Sequence, residues 1–563
     1  MITKFTGAFL YNTAQRQFEK GDFYIQDSMI YHIGEAKINS DHEINVEGKW
    51  IIPGLIDIHM HIESSMTNPN EFSNTVLPMG TTTLVADAHE IGNVFGTEGL
   101  IDFMDIDTNL DIFYAIPSSV PSTNPFLETT GGIIDESAIR TLCKHPKVIA
   151  LGEIMNFKDV ISDEDTMTRR IIETFKECKP GSPIEGHIPR ITGLELSRFI
   201  QRGIGSDHTL QTPESILERT RMGVLVQMQE KSLSRETIAT LCEYKLHGSF
   251  CLVTDDVMPD DLIHKGHMNH LIQLCIKYGM RAEDAIYAAT LVPSQRMQLN
   301  DRGVLSPGKL ADFIILDDLD AFAIQSVYKK GINVQNLEHE HFLFDDDSIF
   351  NTIKRNPITE ADIVSSISKI KGDEATIRIM HREVTNTFTE EQIQSIPVRE
   401  GVLQWQDAGL TMIAVIERYG HQTPIAIGFT DNGFTEKGAV ATSWTHDHHN
   451  ILVMGTDVQD MVNAVNHLID KQGGIVSIIN KNIHFVPLSY GGIVSTQSME
   501  SLALDVSQIR HDLRTLGYEA QNELMSFSVL GLIVSPSLKI SDKGYVDVRT
   551  QEIKPLFINP NIT

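Results

Sequence analysis

A chain of 563 residues with 46 Lys and Arg against 75 Asp and Glu, a formal net charge of -29, is too long for one ordinary core and is expected to divide into domains. Its ordinary apolar fraction of 41% and charged fraction of 21% exclude extended disorder, and the acidity, with no long basic patch, excludes a nucleic acid polymer as the expected partner. Cys143, Cys178, Cys242, Cys251 and Cys275 form neither an even set nor a Cys-x-x-Cys pair, and no signal-peptide or membrane-span pattern occurs; the expectation is a reduced, cytoplasmic protein with no membrane partner.

The first stretch, "KFTGAFLYNTAQRQFEKGDFYIQDSMIYHIGEA", consists of short strand-like pieces broken by Gly, Asn and Asp. A similar texture returns in "RGVLSPGKLADFIILDDLDAFAIQSVYKKG", so segments 1–51 and 300–352 are expected to pair into one small β domain. Between them, 52–299 holds eight apolar runs with turn signals: "IIPGLIDIHMH", "TTTLVADAHE", "DIFYAIPSSV", "KVIALGEIMN", "SPIEGHIP", "GIGSDHT", "GVLVQMQE" and "SFCLVTDD". Helical patterns separate them, which predicts an α/β fold, a parallel (β/α)8 barrel, with an open doubly wound sheet as the alternative. The last of these patterns, "PDDLIHKGHMNHLIQLCIKYGM", reads as one helix with a buried stripe of Leu262, Ile263, Leu271, Ile272, Leu274 and Cys275. Segment 353–563 changes to an additional α+β domain. Its clearest helix, "TDVQDMVNAVNHLIDKQGG", carries a Thr456/Gln459 capping box, a stripe of Met461, Val462, Val465, Leu468 and Ile469, and a Gly stop.

Functional groups of such a barrel gather at the C-terminal ends of its strands. Strand alternation gives His59 and His61 one face, and the later runs end in His89 and Glu90, Glu153, His187, His208, and Asp255 with Asp256. Alone, each histidine is more simply a satisfied structural residue; together, His59, His61, Glu153, His187, His208 and Asp255 are enough for two divalent cations, with Glu153 suited to bridge them. Mixed nitrogen and oxygen donors fit zinc, manganese or iron. Such ions lower the pKa of a bound water to about 7. Asp255 could take the water's proton and pass it to a leaving group, which points to hydrolysis.

"PGLIDIHMHIESSM" resembles the first strand of the amidohydrolase superfamily, and "HIESSMTNPNEFSNTVLPMGTTTLVADAHEIGNVFG" closely resembles the bacterial adenine deaminases. "PSSVPST", "LGEIMNF", "GHIP", "GSDH", "TDD" and "DRGVLSPGKLADFIILDDL" continue the likeness in order, and "SWTHDHHNILVMG" resembles that family's C-terminal histidine-rich segment. The resemblance implies a two-metal barrel, manganese or iron first and zinc after them, in which hydroxide attacks purine C6 of adenine to give hypoxanthine and ammonia. It carries Glu153 onto the bridging position, where many superfamily relatives have a carboxylated lysine. His89 and Glu90 become candidates for contacting the base or relaying protons, or equally for orienting a ligand.

Two departures stand out: Thr209 follows "SDH" where the family pattern has Glu, and Gln229 to Ser232 read "QEKS" where it has Arg-Glu-Gly-Ser. Both bear on the pocket for the base more than on the metals. His446, Asp447, His448 and His449 read either as a solvated loop or as an accessory metal site or active-site loop. His264 reads as a solvated helix residue and His267 as open to a substrate contact. Two other functions compete: hydrolysis of another aminopurine, cyclic amidine or cyclic amide, and a non-catalytic metal-binding or regulatory protein on the same barrel. A homo-oligomer is expected from the habit of symmetric enzymes alone.

Overall fold

The computed structural model describes residues 1–189, 191–339, 341 and 347–558; the remaining parts of the segments read above as 52–299, 300–352 and 353–563 lie outside the described residues. Two compact units form, one from Met1–Ala88, Ile101–Ser118 and Asp135–Phe342, the other from His89–Leu100, Ser119–Ile134 and Leu343–Thr563.

The first unit contains eight parallel strands. In chain order they are β1 (Leu55–Met60), β2 (Thr81–Asp87), β3 (Asp111–Ile116), β4 (Val148–Ile154), β5 (Ile184–Gly186), β6 (Ser206–Asp207), β7 (Leu225–Met228) and β8 (Phe250–Leu252). They hydrogen-bond in the order β5-β4-β3-β2-β1 and, separately, β6-β7-β8, and a parallel bridge from Met60 to Asp255 links the chain after β8 to β1. All seven residues of β2 are buried, as expected of strands covered on both faces. The intervening helices start on local caps: the Asn68 side chain accepts from the amides of Asn70 and Glu71, and Thr212 and Ser234 each form a capping box.

Both flanks of this region enter one further sheet of eight strands. Phe313–Asp318 pairs antiparallel with Trp50–Pro53, with Ile314 opposite Ile52, and thereby joins the two chain segments. Its core combines aliphatic residues with an aromatic group, in which the Phe313 ring stacks on Tyr328 at 4.5 Å and meets Phe5 edge-on at 5.2 Å.

The second unit is built on a nine-stranded, almost wholly antiparallel sheet running from Val402–Leu403 at one edge to Asn482–Pro487 at the other. Helix Val458–Lys471 buries Met461, Val462, Val465, Leu468 and Ile469 in the core that this sheet forms.

Three local expectations are corrected. The helix expected across 259–280 is two, Pro259–Lys265 and Met268–Lys277, because Gly266 adopts φ 107°, and a Cβ there would meet Asn269 Oδ1 at 2.7 Å. Helix Val458–Lys471 is capped by Asp457, which accepts from the Asp460 amide, while Thr456 donates to the Glu436 carbonyl; the left-handed stop falls on Gln472, one residue before the glycines. Strand β2 ends at Asp87, and His89 and Glu90 open the next helix, His89–Asp105, since Ala88 has left the extended region at φ -89°, ψ 49°.

Candidate metal centre and active site

The ends of the parallel strands bring six donors together. His59 lies in β1, His61 just after it and Glu153 in β4, whereas His187, His208 and Asp255 follow β5, β6 and β8. Five of the six are at least 94% buried, and His187 is half-buried. Glu153 faces two ways: Oε1 lies 3.5 Å from His61 Nε2, and Oε2 lies 3.0 Å from His187 Nδ1 and 3.1 Å from His208 Nε2. Asp255 Oδ1 sits 3.5 Å from His59 Nε2 and 3.4 Å from His61 Nε2.

These separations suit donors that share ions bound at about 2.0–2.2 Å. His59 Nε2 is buried without a hydrogen-bond partner and belongs to two of the overlapping donor triads. The residues therefore fit a pair of divalent cations. Asp255 is delivered by an unusual backbone, φ 60°, while its amide donates to the His59 carbonyl at 3.0 Å.

Burial alone would raise the Glu153 carboxyl, but the His208 charge and the bond to His187 hold it well below the usual carboxylate range. Asp255 behaves alike, opposed by burial and drawn down by His59 and His61. Burial lowers His208, with the neighbouring His59 adding to it. Burial would lower His59, but the Asp255 carboxylate and the Glu153 charge raise it, so a bound cation would have to displace a proton there, since ligation requires anionic carboxylates beside neutral imidazoles.

Supporting groups fix the donors. His61 Nδ1 lies 2.8 Å from the Asp87 carbonyl and, as donor, directs Nε2 into the cluster. Asp57 accepts from the Thr254 hydroxyl at 2.5 Å and from the His59 amide at 3.2 Å, tying the end of β1 to the chain after β8. Asp207 takes Arg219 Nε at 3.1 Å and Gln211 Nε2 at 2.9 Å beside His208. None of these three aspartates was singled out from sequence; each lies within two residues of a ligand or a catalytic strand end, and that proximity was the available signal.

Thr209 donates to Asp207 Oδ1 at 2.9 Å, and within "QEKS" Gln229 donates to the His208 carbonyl at 2.6 Å while Lys231 Nζ approaches Asp255 Oδ2 at 3.7 Å. His267 is fully buried, 2.8 Å from Thr81 Oγ1 and 3.2 Å from Thr254 Oγ1, whereas His264 is exposed as expected. His89 and Glu90 belong to a second cluster, in the other unit, with His446, Asp447 and His449. The loop carrying the last three is buried, which excludes the solvated reading.

Residues 50–334 match the amidohydrolase family, and residues 386–552 match the adenine deaminase C-terminal domain. The chain is 45% identical over 559 residues to an adenine deaminase of Clostridium perfringens, covering 97% of this chain and 98% of that one. The chain belongs to the adenine deaminase family. Other members of that family include adenine deaminase 2 of Oenococcus oeni, 42% identical over 98% of this chain and 97% of its own, and the adenine deaminase of Thermosipho africanus, 35% identical over 98% and 96%. Family membership extends across both units, so the site in the first is one part of a full-length adenine deaminase architecture.

Proposed function

We propose that this chain deaminates adenine hydrolytically, giving hypoxanthine and ammonia, at a centre of two divalent cations held by His59, His61, Glu153, His187, His208 and Asp255. The observation that carries the reading is the sharing of two buried carboxylates, Glu153 and Asp255, among four imidazoles at strand ends, in a chain 45% identical to an adenine deaminase. We read the eight parallel strands as a closed (β/α)8 barrel, with 1–51 and 300–352 as its small β domain and 353–563 as a third domain. Manganese or iron is preferred to zinc, the partner is the free purine base, and the chain is placed as a cytoplasmic homo-oligomer.

Bound divalent cations supply a Lewis acid that makes water nucleophilic near neutral pH. Asp255, anionic and aimed into the cluster, accepts a proton from the attacking water as the bond to purine C6 forms. It returns that proton to the base. The amine then leaves as ammonia when the C6–N bond breaks and a proton passes from the new C6 hydroxyl, so water and adenine balance hypoxanthine and ammonia. Glu153 stays ionised between the two sides of the donor set. Lys231, close to Asp255 Oδ2, favours the anion and restrains that oxygen.

The test is to strip the full chain of metal, reload it with manganese, and follow adenine loss together with ammonia release. Metal-dependent, stoichiometric ammonia supports the reading. A folded, loaded chain that turns over another aminopurine or cyclic amide but not adenine would move the assignment to the rival substrates, with Thr209 and Gln229 to Ser232 as the first positions to exchange.

A further inference from the structure

In the second unit five buried ionisable side chains that the proposed reaction does not use lie together. His89 and Glu90 open a helix, and His446, Asp447 and His449 lie on one loop; all are at least 95% buried. His446 Nδ1 lies 2.6 Å from Glu90 Oε1 and 3.4 Å from Asp447 Oδ1. His89 Nε2 lies 3.5 Å from the same Glu90 oxygen and 3.7 Å from the same Asp447 oxygen. These four donor atoms all fall within 4.8 Å of one another.

Two features separate this cluster from an ordinary polar network. Two carboxylates are buried together, and among the described residues neither forms an ion pair with a lysine or arginine. Asp447 Oδ2 is buried with no hydrogen-bond partner. Buried anions require compensation, and a neutral imidazole supplies a hydrogen bond but no countercharge. His449 is placed differently: its Nε2 contacts Glu90 Oε2, the oxygen turned away from His446 and His89, so it orients the carboxylate rather than completing the donor set.

We propose that His89, Glu90, His446 and Asp447 form a closed structural site for one further divalent transition cation, with His449 positioning Glu90. Two nitrogen and two oxygen donors, all from the protein, match a four-coordinate ion of the zinc class, and a site with no open position stabilises rather than catalyses. The ion would join chain segments 359 residues apart, as the Glu90 to His449 contact already does. This role replaces the contact with the base suggested for His89 and Glu90 by sequence. His448 is excluded from it: the ring faces Gly531, where a Cβ would meet Nε2 at 3.0 Å, and Nδ1 accepts from the Asn450 amide.

The inference goes beyond the deaminase reading and is tested without activity. The full chain with His59→Asn, His61→Asn and Asp255→Asn, which weaken the first site, is stripped, reloaded with cobalt, gel-filtered and analysed for metal content and visible absorption. One cobalt per chain with bands of tetrahedral ligation is expected, and adding Glu90→Gln and Asp447→Asn should abolish both. A folded barrel variant with no such bands overturns the site. Should that variant fail to fold, Glu90→Gln with Asp447→Asn in the otherwise native chain should lower zinc content from three ions to two. An unchanged metal content in that folded variant also overturns the proposal, whether or not adenine is turned over.

Discussion

The two donor clusters are built in opposite ways. In the first unit the six donors come from the ends of five strands, His59 and His61 sharing one, and several are backed from behind, His61 by the Asp87 carbonyl and His208 by neighbouring Asp207 with Arg219. In the second, adjacent residues supply donors in pairs, His89 with Glu90 and His446 with Asp447, and the carboxylates are oriented by imidazoles. A set distributed over a rigid parallel sheet can present Glu153 and Asp255 toward reacting atoms. A set made of neighbouring residues closes on itself, as a structural site does.

If the distinction is right, the largest effect belongs to the proton carrier. Asp255→Asn should lower adenine turnover by about 10²–10⁴-fold, measured by steady-state hypoxanthine formation, because an amide cannot take the water's proton. Near-normal turnover would remove Asp255 from that role. Next comes support. Asp207→Ala leaves the buried Arg219 guanidinium with Glu218 as its one remaining carboxylate partner among the described residues, and about 1–3 kcal/mol of stability should be lost, read by urea unfolding. A loss near zero would mean that the chain rehydrates around Arg219.

A finer effect concerns the tie between β1 and the chain after β8. Asp57→Asn should weaken manganese binding at the first centre by about 10–100-fold, followed by competition with a chelator, while leaving the proposed second site filled. Equal weakening at both sites would erase the contrast between them.

The smallest effect concerns Lys539 of the second unit, which is buried and, among the described residues, forms no ion pair with a carboxylate. Burial pushes Lys539 down to about 7, and its Nζ donates to the Thr387 carbonyl at 2.9 Å. Between about pH 7 and the ordinary lysine value of about 10.4, the unfolded chain holds a proton that the folded chain has released. Stability should therefore rise with pH across that window, and the penalty is full below it. Lys539→Met should flatten this slope in urea titrations at several pH values; an unaltered slope would mean that Lys539 stays protonated.

Much of the first site was legible because parallel strands impose a rule. Apolar runs mark the strands, and polar residues at their ends are gathered by the sheet, so His59, His61, Glu153, His187, His208 and Asp255 could be named without coordinates. The same rule misled at β2: His89 and Glu90 follow an apolar run, but Ala88 turns the chain and they enter a helix. Composition likewise indicated helices at 259–280 and 456–474, while the break at Gly266 and the cap at Asp457 depended on local hydrogen bonds that periodicity does not encode.

By itself, then, the sequence determined the order of strands and helices, the family likeness and the chemistry available at each strand end, because side-chain periodicity and residue type are local properties. Only the tertiary structure decided that Glu153 splits its oxygens between His61 and the His187–His208 pair, that Asp57 ties His59 to Thr254, and that His89 and Glu90 share donors with His446 and Asp447. Those pairings join residues distant along the chain, and what selects them is the cost of burying a charge or a polar atom without a partner.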